Sequence, residues 1–115
     1  MCLRVVIVDD HVRFREQATL LLELERFSVV GGAGSGHDGV ELSRRLSPDL
    51  VLLDVGLPDG SGFDLVPAMH ETGAAVVLTS SRSVSDYGQR VAQSGAEGFI
   101  AKEELTGEAI LSLLA

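Results

Sequence analysis

The sequence predicts an α/β domain built on a parallel sheet, with helices on both faces of that sheet. Three observations lead there. Five short aliphatic or β-branched runs alternate with five amphipathic stretches across 115 residues. No linker, internal repeat or low-complexity segment interrupts the alternation. The polar residues suited to chemistry fall at the ends of the runs, which is where sheets of this kind place their sites. The length is that of one domain, expected to occupy residues 1–115.

Leu3–Val8 (LRVVIV) reads as the first buried strand. Phe14, Ala18, Leu21 and Leu22 then fall at i, i+4, i+7 and i+8, the spacing of one helical face. Phe27–Ala33 is a second strand running into glycines. A shorter helix is expected from Asp38 to Leu46, stopped before Pro48, because a proline pushes its predecessor out of the helical region. Leu50–Leu53 is a third strand with Asp54 directly after it, followed by a turn cluster at 58–62. The next helix is expected from about Phe63 to Glu71. Pro67 fits it if Asp64 is the N-cap, which puts the proline in the first turn. Ala74–Leu78 is a fourth strand, and Val84, Tyr87, Val91 and Ala92 outline a fourth helix. Gly98–Ala101 is a fifth strand, and Leu105, Ala109 and Leu113 mark the last helix.

Composition narrows the function. Hydrophobic residues at 45% and charged residues at 23% suit a folded core rather than a disordered chain. Asp plus Glu is 17 against 9 Lys plus Arg, a net charge of −8. So acidic a domain is a poor match for nucleic acid, whose affinity rests on cations neutralising phosphates. Lys102 is the only lysine; every other base is an arginine. The single cysteine, Cys2, allows no internal disulfide, so a reducing, cytoplasmic setting is expected, with Cys2 on an edge strand. No CxxC or HExxH pair supports a zinc site. The apolar runs fall well short of the roughly 20 residues of a membrane helix, and the N-terminus is unlike a signal peptide.

The predicted strand ends carry Asp9 and Asp10, then Asp54, then Thr79 and Ser80, then Lys102. Taken singly, each has an ordinary role: Asp10 as a helix N-cap, Asp54 in a turn, Thr79 as a strand residue, Lys102 as a solvated charge. Taken together they put three carboxylates, a hydroxyl and an ammonium on one rim. Clustered carboxylates repel and stay ionised only beside a cation. Mg²⁺ suits them, being held by one or two carboxylates with phosphate oxygens and water. A carboxylate can itself accept a phosphoryl group, with Thr79 and Lys102 supplying donors to its oxygens.

These residues resemble the receiver domain of bacterial two-component response regulators over essentially the whole chain. VVIVDDH, LVLLDVGLPDGSGFDL, VVLTSS and GFIAK stand in the family's order and spacing. VVIVDDH and GFIAKEEL are also similar to receivers that precede LuxR-type (NarL/FixJ-like) DNA-binding domains. The resemblance implies a flavodoxin-like (βα)5 three-layer sandwich with a five-stranded sheet of order 2-1-3-4-5. It implies Asp54 as phosphoacceptor and Asp10 as the main Mg²⁺ carboxylate. Asp9 would act partly through water, and the Gly56 backbone carbonyl would complete the protein ligands. Thr79 would be the switch hydroxyl, Phe99 the switch aromatic, Lys102 the phosphate-pairing lysine, and Ser80 an auxiliary contact, chiefly through its backbone N–H, with Ser80 and Ser81 as candidate hydroxyl donors.

The implied partners are a histidine kinase or phosphotransfer protein, and an output domain or partner protein at the surface of helix 4, strand 5 and helix 5. A homodimer is a further option. The chain itself is expected to carry no output domain. Its role would be a phosphorylation-driven switch with self-catalysed transfer, not a turnover enzyme. The alternative is a constitutive interaction module that keeps the fold but not the switch.

Several positions depart from the family pattern. Glu103 follows Lys102 where proline is frequent, so a trans peptide is expected there. Phe99 lacks the hydroxyl of the more usual tyrosine. Gly56 and Ser81, two residues after Asp54 and Thr79, are small, which implies an aspartyl phosphate of short to moderate lifetime. An aspartyl-phosphate hydrolase would want a second Asp where Gly56 stands. Gly34, Gly36 and Gly39 form a GxGxxG, nominally a dinucleotide fingerprint, but after the second strand rather than the first. A flexible loop accounts for it better. His11, following the acid pair, could touch the rim but is expected to face solvent; His37 and His70 are read as inert.

Overall fold

A computed structural model describes residues 2–115. Its central sheet comprises β1 (Leu3–Val8), β2 (Phe27–Ala33), β3 (Leu50–Asp54), β4 (Ala75–Ser80) and β5 (Gly98–Ala101). The strands lie in the order β2-β1-β3-β4-β5, all parallel, as the resemblance implied. The helices are α1 (Val12–Glu23), α2 (Gly36–Leu46), α3 (Gly62–Glu71), α4 (Arg90–Ser94) and α5 (Gly107–Leu114).

Strand alternation divides the core in two. Val6, Val8, Val51, Leu53, Val76 and Leu78 face Val40 of α2 and Val66 and Met69 of α3. Val5, Ile7, Leu50, Leu52 and Val77 face Ala18 and Leu22 of α1 and Ile110 of α5. Both faces of the sheet are therefore covered, which is why the strands read as continuous apolar runs instead of alternating ones. The chain leaves β1 for β2 on one side and returns to β3 on the other. The crevice opened by that reversal lies at the carboxyl ends of β1 and β3.

The structure corrects five local expectations. The N-cap of α3 is Ser61, whose Oγ accepts from Phe63 N–H at 3.2 Å, not Asp64. Pro67 is thus the sixth helical residue, and the helix lacks the bond that the Pro67 nitrogen would have given the Phe63 carbonyl. The α2 helix starts at Gly36, capped by Ser35, two residues earlier than Asp38. The fourth helix is broken into a 3₁₀ turn (Val84–Asp86), opened by a reciprocal Ser83–Asp86 capping box, and α4, with Gly88 between them at φ 58°. Ala92 is consequently exposed. Leu105 precedes α5, whose N-cap is Thr106. Cys2 is exposed ahead of β1, and β1 lies inside the sheet, so Cys2 is not on an edge strand. No cis peptide bond occurs among the described residues, in accord with Glu103 replacing proline.

Candidate functional site

The expected rim exists. Asp9 follows β1, Asp54 ends β3, Thr79 and Ser80 end β4, and Lys102 follows β5. Parallel register sets Asp54 beside Thr79, Thr79 beside Ile100, and Ser80 beside Ala101. Asp54 is the last residue of β3, not the first beyond it, so its backbone is fixed by the sheet. A β-carbon on Gly62 would run into the Asp54 carbonyl; glycine there lets α3 start directly beneath the end of β3. Between them, Gly56–Leu57 and Gly60–Ser61 pair as a two-residue hairpin.

Asp9 is fully buried and Asp54 is 3% exposed, while Asp10 is open to solvent. Asp10 does not cap α1: the N-cap is His11, without a side-chain bond. The ordinary reading of Asp10 therefore fails, and its carboxylate stands exposed on the rim, 3.3 Å from His11 Nδ1. Asp9 Oδ1 accepts from His11 N–H at 2.9 Å, and Asp54 Oδ1 accepts a long 3.4 Å bond from Gly56 N–H. Asp9 Oδ2 and Asp54 Oδ2 are buried and accept no hydrogen bond. Lys102 Nζ pairs with them electrostatically, at 2.7 Å from Asp9 Oδ2 and 3.6 Å from Asp54 Oδ2. The ammonium also lies 4.7 Å from the centroid of the Phe14 ring.

One ammonium cannot balance this site. Burial, and after it the Asp9 carboxylate, push the Asp54 carboxyl up to about 6. Lys102 and the Gly56 N–H oppose that rise, and Asp10 adds to it. Ligand atoms of Asp9, Asp10, His11 and Asp54 all lie within 4.8 Å of one another. Two buried carboxylate oxygens that share one ammonium, beside an exposed carboxylate, form an all-oxygen donor set that fits a hard divalent cation such as Mg²⁺.

Four residues that sequence reasoning undervalued enter the picture. His11 is exposed, but its Nδ1 lies 3.0 Å from Asp9 and 3.3 Å from Asp10, so it joins the rim. An Arg15 guanidinium nitrogen donates to the Asp9 carbonyl at 2.5 Å, tying α1 to the end of β1. Tyr87 Oη lies 2.5 Å from Ser80 Oγ, so the Ser80 hydroxyl is engaged by Tyr87. Asp59 accepts from Gly36 N–H and His37 N–H at 2.8 and 2.9 Å. That last contact disposes of the glycine motif: the helix start that would take a phosphate holds the chain's own carboxylate. Gly39 is there for packing, since a β-carbon on it would sit 2.7 Å from Val8 Cγ2. Phe99, half-buried, stacks 5.7 Å from Tyr87.

Residues 5–114 match the family model of the response regulator receiver domain. The chain belongs to that family. This receiver is 36% identical over 104 residues to the nitrate/nitrite response regulator protein NarP of Escherichia coli, covering 87% of this chain and 48% of NarP. It is similar to the signal receiver domain of NarL from Mycobacterium tuberculosis at TM-score 0.85 and 32% identity, with 98% and 94% of the two chains covered. It also resembles a chain of the CheX-CheY-BeF3-Mg+2 complex from Borrelia burgdorferi at TM-score 0.81 and 26% identity, over 97% and 86% of the chains. The receiver spans about half the length of the curated relatives it matches. Receivers of this family are signalling modules of two-component systems, and the relatives include transcription regulators. No helix among the described residues is long and apolar enough to cross a membrane.

Proposed function

We propose that this receiver is a phosphorylation switch in which Asp54 accepts a phosphoryl group from a histidine kinase or phosphotransfer protein. The observation that carries this reading is the pair of buried, unbonded oxygens, Asp9 Oδ2 and Asp54 Oδ2, facing a single ammonium. Leaving a buried carboxylate oxygen without a hydrogen bond is unfavourable, and a fold keeps such an arrangement where function uses it.

Asp54, pushed up to about 6, is ionised at neutral pH and more basic than an ordinary aspartate, which suits a nucleophile. Its partners divide the remaining work. Asp10 and Asp54 would hold Mg²⁺ with the Gly56 carbonyl, and Asp9 would contribute partly through water. The ion, when bound, would neutralise the charge that develops on the transferring group. Lys102 is within reach to move its pairing from Asp9 to a phosphoryl oxygen on Asp54. Thr79, adjacent to Asp54 in the ladder, would follow a second oxygen, and Phe99 would fill the space it leaves. The consequence would be a changed affinity at the α4, β5 and α5 surface, for an output domain, a partner protein or a second copy. The related chain comes from a CheX-CheY complex with BeF3 and Mg²⁺, which fits the same chemistry here.

The test is intact mass after incubation with acetyl phosphate and Mg²⁺. A phosphoryl increment of about 80 Da on the wild type, absent in Asp54→Asn, is expected. A wild type that gains no mass would leave the domain as a constitutive interaction module.

A further inference from the structure

We propose that Tyr87 is a positioning residue of the phosphoryl switch, coupling the end of β4 to the α4 surface through the Ser80 hydroxyl. The inference rests on Asp54 being the phosphoacceptor.

Ser80 follows Thr79 directly, and both are buried at the end of β4. Its Oγ is held by two groups, Tyr87 Oη at 2.5 Å and the Arg82 N–H at 3.1 Å. The Tyr87 ring is held in turn by two others. Phe63 meets it edge-on at 5.4 Å between centroids, and Phe99 lies tilted at 5.7 Å. Phe63 belongs to the first turn of α3, next to the loop that follows Asp54, and Arg90 of α4 stacks on it at 4.4 Å. Tyr87 thus touches β4, the start of α3 and β5 at once.

Its own backbone caps the 3₁₀ turn Val84–Asp86, none of whose residues is buried, and is followed by Gly88 at φ 58°. Such a segment can rearrange at little cost, whereas β4 and β5 are held by the ladder. Phe99 has no hydroxyl and so cannot read the position of Thr79 by a hydrogen bond. Tyr87 carries the hydroxyl that is missing there. A phosphoryl group on Asp54 that draws Thr79 inward shifts the adjacent Ser80, and the Tyr87–Ser80 bond must follow it or break. Either response moves the ring between Phe63 and Phe99 and so re-sets the 3₁₀ turn and α4. The equilibrium between two arrangements is then biased by one local electrostatic change.

Composition makes the test specific, because Tyr87 is the only tyrosine and the chain has no tryptophan. Near-ultraviolet fluorescence therefore reads this one ring. The 115-residue chain is treated with acetyl phosphate and Mg²⁺, and mass and tyrosine emission are followed together. The expected result is an emission change that tracks the mass gain, is absent in Asp54→Asn, and shrinks in Ser80→Ala. In Tyr87→Phe, which keeps the ring, the rate of phosphoryl loss should change about fivefold, the worth of one net hydrogen bond. Thermal melting of both variants checks that they remain folded. Phosphorylated wild type with unchanged emission overturns the inference and leaves the Asp54 reading intact. So does a full emission change in Ser80→Ala. A wild type that gains no mass overturns both.

Discussion

Lys102 Nζ stands 2.7 Å from Asp9 and 3.6 Å from Asp54, so the only lysine of the chain pairs with Asp9 more closely than with Asp54. The pairing lies under the surface, the Lys102 side chain being 15% exposed and the two carboxylates nearly closed to solvent. Removing one partner of such a group strands the others. Lys102→Met is expected to lose about 3 kcal/mol at pH 7.5, read by urea unfolding. The loss should fade on acidification through about 6, as Asp54 takes up its proton. Equal stabilities of variant and wild type at pH 7.5 would show that the ammonium is not holding the site.

Asp54 gives the opposite sign. Its carboxyl is pushed from 3.8 up to about 6, so between those values the folded chain holds a proton that the unfolded chain has released. Stability from this group is present at low pH and falls as pH rises through about 6. The full shift corresponds to about 3 kcal/mol at neutral pH. Asp54→Asn removes the ionisable group and leaves Lys102 its pairing with Asp9. The variant is expected to be more stable than wild type by about 1–3 kcal/mol at pH 7.5 and nearly equal to it at pH 4. Melting curves across that window check it, and a variant less stable at pH 7.5 would contradict the buried-charge account.

Asp10 isolates the cation. It is exposed and caps nothing, so Asp10→Asn should change the stability of the metal-free protein by less than about 0.5 kcal/mol. Mg²⁺ at a hundredfold excess over its Kd should stabilise the wild type by about 2.7 kcal/mol, through mass action on the folded state. In Asp10→Asn that increment should largely vanish. A Mg²⁺-dependent melting shift of unreduced size in the variant would remove Asp10 from the ligand set.

How much of this was legible in the sequence follows from the kind of signal each feature leaves. The strands were legible because burial on both faces leaves unbroken runs such as Val5–Val8 and Leu50–Leu53. The rim was legible because strand ends in a parallel sheet converge, so Asp9, Asp54, Thr79 and Lys102 could be placed together without knowing the strand order. The order itself came with the family resemblance. Caps were not legible where two candidates stood within three residues: Ser61 outcompeted Asp64 through a local bond to Phe63 N–H. The Tyr87–Ser80, Asp59–Gly36 and His70–Glu97 contacts join residues 7, 23 and 27 positions apart, and no periodicity marks them. His70 and Tyr87 therefore read as bystander and helix face.

The last of these contacts can be tested by stability alone. Glu97 Oε1 accepts from Val76 N–H at 2.7 Å and lies 2.8 Å from His70 Nε2, joining the loop before β5 to β4 and to the end of α3. Val76 is fully buried, so its N–H relies on this carboxylate. Burial raises the Glu97 carboxyl, but the bonds from His70 and Val76 outweigh it, and the group ends below its ordinary 4.5. Its contribution is therefore complete above that value and is lost as pH falls beneath it. Glu97→Ala is expected to cost about 1–2 kcal/mol at pH 7, an orphaned amide partly relieved by solvent at this half-open position. Glu97→Gln, which keeps an acceptor oxygen for Val76, should lose less. Urea midpoints of the two variants separate the roles: equal losses would mean that the charge opposite His70, and not the bond to Val76, holds the loop.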